Sequence, residues 1–326
     1  MKARTVAAAV GGIAAAYAAE RVLVGRPRAR TDLGAVAAFG PPEDGVHHDV
    51  PLSDGGSLHV VEVGAGRPLV LLHGITLSSL AWHDQLRDLS DRFRVIAVDH
   101  RGHGSSKAGD GPWDLARLAR DVRELFEGLD LADAVLVGHS MGGMVALQYA
   151  LDHPDALRRH VAGLVLMSTS STPVHRLAGW EALTKAVTPA LKRGLALGER
   201  VPGGLFARSD LSYLVFRFGM GKGATPEHVE LNRMMTAATP LSVLGELFSG
   251  VAGFDVRDRL HEIDLPALVL VGTRDLLTPP SAARTMVAGL RRARPLVAYP
   301  GAGHMLMLER RHEVNQAIAA FAEELS

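Results

Sequence analysis

Short runs of β-branched and aliphatic residues alternate along most of the chain with longer stretches in which apolar positions recur every three or four residues. Residues 57–63, 68–73, 94–99, 134–137, 163–167, 267–271 and 295–299 read as strands. Most are nearly continuous Val, Leu, Ile and Ala, as expected of strands covered on both faces. The stretch 114–129 places Leu115, Leu118, Val122, Leu125 and Phe126 on one helical stripe, with Arg117, Arg120, Arg123 and Glu124 expected off it. Strand followed by helix, repeated, requires crossover helices. The pattern therefore predicts an α/β fold: a mostly parallel central β-sheet with helices on both faces.

The alternation lapses between residues 167 and 267, which are helical in character and far longer than the usual two-to-six-residue connection. An inserted helical cap is expected at 171–255, dividing a core made of 46–170 and 256–326. The cap carries Leu205, Phe206, Leu214, Val215, Phe216, Phe218, Met220, Met234 and Met235. Such a set suits an acyl or alkyl group, although packing of the cap against itself accounts for most of it. His47 and His48 are expected on the surface, ahead of a strand.

The amino end differs. Lys2 and Arg4 precede an apolar run at 6–19 that contains Ala16-Tyr17-Ala18, the pattern of an export signal or anchor, assigned to residues 1–25. At about 1.5 Å per residue that run spans about 21 Å of a roughly 30 Å hydrocarbon layer, too short for a full crossing. Export or membrane association through residues 1–25 is favoured over a cytoplasmic location by a small margin, and 26–45, with Pro27, Pro41 and Pro42, reads as a connector.

Composition then narrows the chemistry. The 326 residues hold 35 Lys plus Arg against 35 Asp plus Glu, and no Cys. Balanced charge offers no field for nucleic acid, so no nucleic-acid partner is expected. The lack of cysteine excludes disulfides, thiol nucleophiles and thiolate metal sites. No metal and no cofactor are expected; the oligomeric state is not legible.

The most informative segment runs from Ala134 to Leu147: a buried strand, then Gly138-His139-Ser140-Met141-Gly142, then a helix. A serine at such a turn stands exposed above the sheet, and the following helix aims its free N–H groups at it. A serine hydroxyl needs a base, and the base needs orienting. His304, in Gly303-His304 after the last strand, is the expected base, and Asp275, in Gly272-Thr273-Arg274-Asp275 after the preceding strand, the expected acid. The alternatives are His304 as a cap of the terminal helix, Asp275 as the cap of a helix near Pro279, and Asp99, Asp255 or Asp264 as the acid. After the strand at 68–73, His73-Gly74 turns the chain so that the Ile75 N–H, with that of Met141, is expected to form an oxyanion hole, with Gly74 lining the substrate. His73 is expected to bond its own loop. The His-rich segment 99–106 has no recognised metal-ligand spacing.

With these residues in order, the chain resembles the α/β-hydrolase fold superfamily, in its cap-bearing serine esterase and lipase branch. The resemblance covers about residues 46–325 and rests on His73-Gly74, Asp99 to Ser105, Gly138 to Gly143, Gly272 to Asp275 and Gly303-His304. Relatives that carry an aspartate at the elbow, the epoxide hydrolases and haloalkane dehalogenases, are disfavoured by Ser140. The resemblance implies a serine hydrolase cleaving a carboxylic ester, such as a monoacylglycerol or another apolar acyl ester, through an acyl-serine on Ser140. Carbon-carbon bond hydrolases, perhydrolases and acyltransferases use the same three side chains, and a non-catalytic ligand receptor on this fold is the alternative of another class.

Overall fold

A computed structural model of the chain describes Gly34, Val36 and residues 39–173 and 210–325. Residues 1–25, much of the connector, Leu205 and Phe206 lie outside the described residues.

Nine strands are described: β1 (Val46–Pro51), β2 (Ser57–Val63), β3 (Pro68–Leu72), β4 (Arg94–Val98), β5 (Ala134–His139), β6 (Val161–Met167), β7 (Pro266–Gly272), β8 (Arg292–Ala293) and β9 (Val297–Tyr299). They form one sheet in the order β1-β2-β4-β3-β5-β6-β7-β8, with β9 also on β7. β1 and β2 form an antiparallel hairpin and β2 meets β4 antiparallel; every other pairing is parallel. The mostly parallel sheet follows from the continuous apolar runs. β1 and β8 were not anticipated. In β1 only Val50 of six residues is buried, so pairing with β2 defines that strand where its side chains give no alternation. His47 and His48 accordingly lie within β1 and not ahead of a strand.

The helices are α1 (His83–Asp88), α2 (Leu115–Gly128), α3 (Met141–Asp152), α4 (Pro154–His160), α5 (Asp210–Gly219), α6 (Pro226–Ala238), α7 (Leu241–Gly253), α8 (Pro280–Gly289), α9 (Leu306–Glu309) and α10 (Arg311–Glu324). Alternate strand residues feed two cores. Val70, Leu72 and Leu136 pack with Leu118, Val122 and Leu125 of α2 and Met144 and Leu147 of α3. Leu69, Leu71 and Val137 face the other way, toward Leu86 of α1 and Val314, Ile318 and Phe321 of α10. Local signals set the helix ends: the Asp114 carboxylate accepts the Arg117 N–H at 2.7 Å to start α2, and Thr225 and His228 close a capping box on α6.

Between β6 and β7 the described chain carries α5, α6 and α7. Tyr213, Met220, Val229, Leu231 and Met235 extend the core on the α10 side, whereas Val243, Leu247 and Val251 of α7 join the core on the α2 side. Phe218 and Met234, read from sequence as part of an apolar lining, are 76% and 48% exposed. Among the described residues no helix is long and apolar enough to cross a membrane.

One buried polar cluster departs from the helical-stripe reading. Arg101, fully buried, is clamped by Asp121 at 2.6 and 2.8 Å and by Asp54 at 2.9 Å. Arg117 is buried beside it, 2.9 Å from Asp121 one turn along α2. It was expected off the buried stripe, and its partner Asp54 is too distant in sequence for periodicity to reveal.

Chain order reverses at β3. The chain steps from β3 to β4 on one side and returns to place β5 on the other. In such sheets the crevice at the carboxyl ends of the two diverging strands is where ligands bind. The loops leaving β3 and β5 begin at His73 and Ser140.

Candidate active site

Ser140 joins β5 to α3 with φ 54° and ψ −119°, a conformation that side-chain-bearing residues rarely adopt. Two neighbours make the turn possible. A Cβ on Gly138 would stand 2.5 Å from the Gly142 carbonyl oxygen, and one on Gly142 would stand 2.2 Å from that of Leu72. The strand and the helix start therefore close on each other only as glycines. The Ser140 carbonyl is held by the N–H groups of Gly143 and Met144 and by the Thr169 hydroxyl at 2.6 Å. The Ser140 side chain remains partly exposed.

His304 and Asp275 arrive from the loops after β9 and β7. The His304 Nδ1–H donates to Asp275 Oδ2 at 2.9 Å, which leaves Nε2, 3.0 Å from Ser140 Oγ, as the acceptor for the serine proton. Asp275 is 2% and His304 7% exposed. Burial pushes the Asp275 carboxyl up, but the charge of His304 and the hydrogen bonds from His304 and Thr278 outweigh it and hold the group below its ordinary value. Asp99 instead binds the N–H groups of Ser79 and Ser105, Asp255 pairs with Arg257, and Asp264 lies ahead of β7.

Two further residues at this site were not singled out from sequence. Thr278 donates its N–H to Asp275 Oδ1 at 2.9 Å and its hydroxyl to Oδ2 at 2.8 Å. Its position three residues after the acid, the spacing of a side-chain turn, was the available signal. His139 is fully buried; its Nε2–H donates to the His304 carbonyl at 2.9 Å. Burial, and then the charge of His304, lower its pKa to about 3.

The loop after β3 passes directly beside the serine. A Cβ on Gly74 would come 3.1 Å from Ser140 Cβ and 3.0 Å from His139 Nδ1. Neither the Ile75 nor the Met141 N–H has a hydrogen-bond acceptor among the described residues. Behind the loop, His73 donates from Nδ1 to the Gly74 carbonyl at 2.7 Å and accepts the His100 N–H at 3.0 Å on Nε2. His103 donates to the Arg101 carbonyl and accepts the Thr76 N–H at 3.3 Å. Each ring thus uses one N–H and one bare nitrogen, an arrangement that only neutral imidazole satisfies. Burial lowers His73 to about 4 and, with the charge of His73, His103 to about 3; His100 is lowered well below its ordinary value by burial and both neighbours. Among the described residues no group of three His, Asp or Glu side chains is placed to hold a metal ion.

The arrangement comprises a hydroxyl, an imidazole hydrogen-bonded to it and a carboxylate behind the imidazole, with the Ile75 and Met141 N–H groups, unpaired among the described residues, on the loop after β3 and at the start of α3. Residues 67–311 match the family described as the alpha/beta hydrolase fold. Over 289 residues the chain is 31% identical to the AB hydrolase superfamily protein YisY of Bacillus subtilis (strain 168), covering 84% of this chain and 98% of that protein. It is also 31% identical over 297 residues to a non-heme haloperoxidase of Rhodococcus erythropolis, covering 84% and 98%. Among solved structures, a thermophilic esterase from Thermogutta terrifontis superposes with a TM-score of 0.70 at 29% identity, covering 86% of this chain and 99% of that one.

Proposed function

We propose that this chain, a hydrolase that belongs to the alpha/beta hydrolase fold family, cleaves carboxylic esters through an acyl-serine formed on Ser140. The observation that carries the reading is the continuous hydrogen-bond line from Ser140 Oγ through both ring nitrogens of His304 to Asp275. As Ser140 attacks the ester carbonyl, its proton passes to His304 Nε2, and the imidazolium gains the support of the ionised Asp275. The carbonyl oxygen becomes an oxyanion that the Ile75 and Met141 N–H groups stabilise, reinforced by the amino end of α3. Collapse expels the alcohol, protonated by His304. Water, deprotonated by the same nitrogen, then attacks the acyl group and frees Ser140.

Similarity to an esterase supports an ester as the bond cleaved. An apolar acyl ester, with a monoacylglycerol as one form, is carried by the sequence resemblance, since the described apolar residues of the inserted segment pack into the core or face solvent. Similarity to a non-heme haloperoxidase favours a second reading, in which peroxide replaces water as the acyl acceptor.

A fluorophosphonate probe labels the wild type and spares Ser140→Ala, and a panel of p-nitrophenyl esters of increasing chain length gives rates well above the Ser140→Ala background. Folded wild type that neither labels nor exceeds that background overturns the proposal. Faster acyl loss to peroxide than to water would select the second reading.

A further inference from the structure

Glu309, which ends α9, lies outside the hydrogen-bond line just described, yet it is buried, with 6% exposure. Its carboxylate gathers three backbone donors. Oε2 accepts the N–H of Gly303 and that of Gly221, both at 2.8 Å, and Oε1 accepts the N–H of Met305 at 3.2 Å. Gly303 and Met305 are the two residues that flank His304. Gly221 belongs to the turn between α5 and α6, in the segment inserted between β6 and β7. One side chain therefore holds the loop of the base on both sides and fastens it to the inserted helices.

The two backbones are bonded to each other around this carboxylate. The His304 N–H donates to the Gly219 carbonyl at 3.0 Å, and the Lys222 N–H donates to the Gly301 carbonyl at 3.0 Å. No side chain fits between them. A Cβ on Gly221 would stand 2.3 Å from the Gly301 oxygen, and one on Gly303 would stand 2.4 Å from the Gly221 nitrogen. The bond to Met305 resembles local capping of α9, but the bonds to Gly303 and Gly221 lie outside that helix and serve no helix end.

We infer that Glu309 is a positioning residue for His304: it locks the base loop to the α5–α6 turn, so that the inserted helices help to set where the base stands relative to Ser140. The inference rests on the serine-hydrolase reading and extends it, because it gives the segment inserted between β6 and β7 a part in placing the base. A carboxylate suits the task because it presents acceptors only, and all three of its partners here are donors.

Glu309→Gln replaces one oxygen with an N–H2 group and sets a donor against a donor. The folded variant, verified by circular dichroism and thermal melting, is expected to lose about 10- to 100-fold in kcat on a short p-nitrophenyl ester, since small misplacements of a reacting group cost that much. KM for the short ester stays near the wild-type value, and the fluorophosphonate labelling rate falls in parallel with kcat. Glu309→Asp keeps the charge and shortens the reach, so it shows the same loss. If Glu309→Gln does not fold, Gly221→Ala attacks the same junction from the other side and carries the same readouts. A folded Gln variant whose kcat and labelling rate stay near wild type, or whose loss is confined to KM, overturns the inference. Failure of the reading beneath it is separable, because it appears in the wild type as absent labelling and no ester rate above Ser140→Ala.

Discussion

The Thr278 hydroxyl donates to Asp275 Oδ2 at 2.8 Å while its oxygen stands 3.3 Å from His304 Nδ1, so the same carboxylate oxygen is shared by the imidazole and the hydroxyl. Thr278→Val removes the hydroxyl and leaves the backbone N–H bond to Oδ1. A hydrogen bond to a buried charged group contributes about 1.5–3 kcal/mol, so kcat/KM for the ester is expected to fall by about tenfold to a hundredfold. Thr278→Ser, which restores the hydroxyl, recovers most of the loss. Steady-state kinetics of the two variants decide it: a Val variant as active as wild type would mean that the hydroxyl does nothing for the acid.

Acid stability follows from the buried imidazoles. His73, His103 and His139 titrate near 4, 3 and 3 in the folded chain, and His100 well below its ordinary value, against 6.5 when unfolded. Between about pH 4 and 6.5 the unfolded chain therefore binds more protons, and stability drops as pH falls through that window. Each such group contributes up to about 1.4 kcal/mol per pH unit. Asp275, held below 3.8, adds stability above that value and loses it only as pH falls further, outside the histidine window. Urea midpoints at pH 7, 6 and 5 should fall steeply. A free energy of unfolding that is flat across those three values would contradict the neutral-imidazole assignment.

Much of this was legible because it is local. β3, β5, β6 and β7 are continuous apolar runs, so a mostly parallel sheet could be read from them, and Ser140, Asp275 and His304 each follow a strand in a glycine-bearing turn. What stayed hidden depends on distant partners. Glu309 binds the backbone of Gly221, and backbone donors carry no sequence signature. His139 was read only as part of the elbow because its acceptor is the carbonyl of His304. Arg117 was misplaced because the helical period says nothing of Asp54, 3.4 Å away and delivered by the turn before β2.

That ion cluster makes its own prediction. Arg101→Met leaves Asp121 and Asp54 with Arg117 as their remaining cation among the described residues, and removing one partner from a buried pair costs about 3–5 kcal/mol. Burial already pushes Asp121 above its ordinary value despite Arg101 and Arg117. Without Arg101 it rises further, so the folded variant takes up a proton more readily and the loss of stability, relative to wild type, shrinks as pH is lowered from 7 to 5. Paired denaturation curves at the two values test this; a difference that grows toward pH 5 would show that the lost guanidinium was not what kept Asp121 ionised.

Gly74→Ala tests the oxyanion donors. The new Cβ would meet His139 Nδ1 at 3.0 Å and Ser140 Cβ at 3.1 Å, and His139 is pinned from its other side by the His304 carbonyl. With His139 held on its other side, the contact is relieved by a displacement of a few tenths of an ångström in the loop after β3, which carries the Ile75 N–H. Loss of one oxyanion donor costs about 10²–10³-fold in kcat, and partial displacement is expected toward the lower end of that range, with KM changed less because the donor acts on charge that develops only in the transition state. Gly40→Ala supplies the control, since no atom lies within 4 Å of the Cβ it would add. Were kcat unchanged in Gly74→Ala, the Ile75 N–H would have to be dropped as a donor and the stabilisation sought at the amino end of α3 alone.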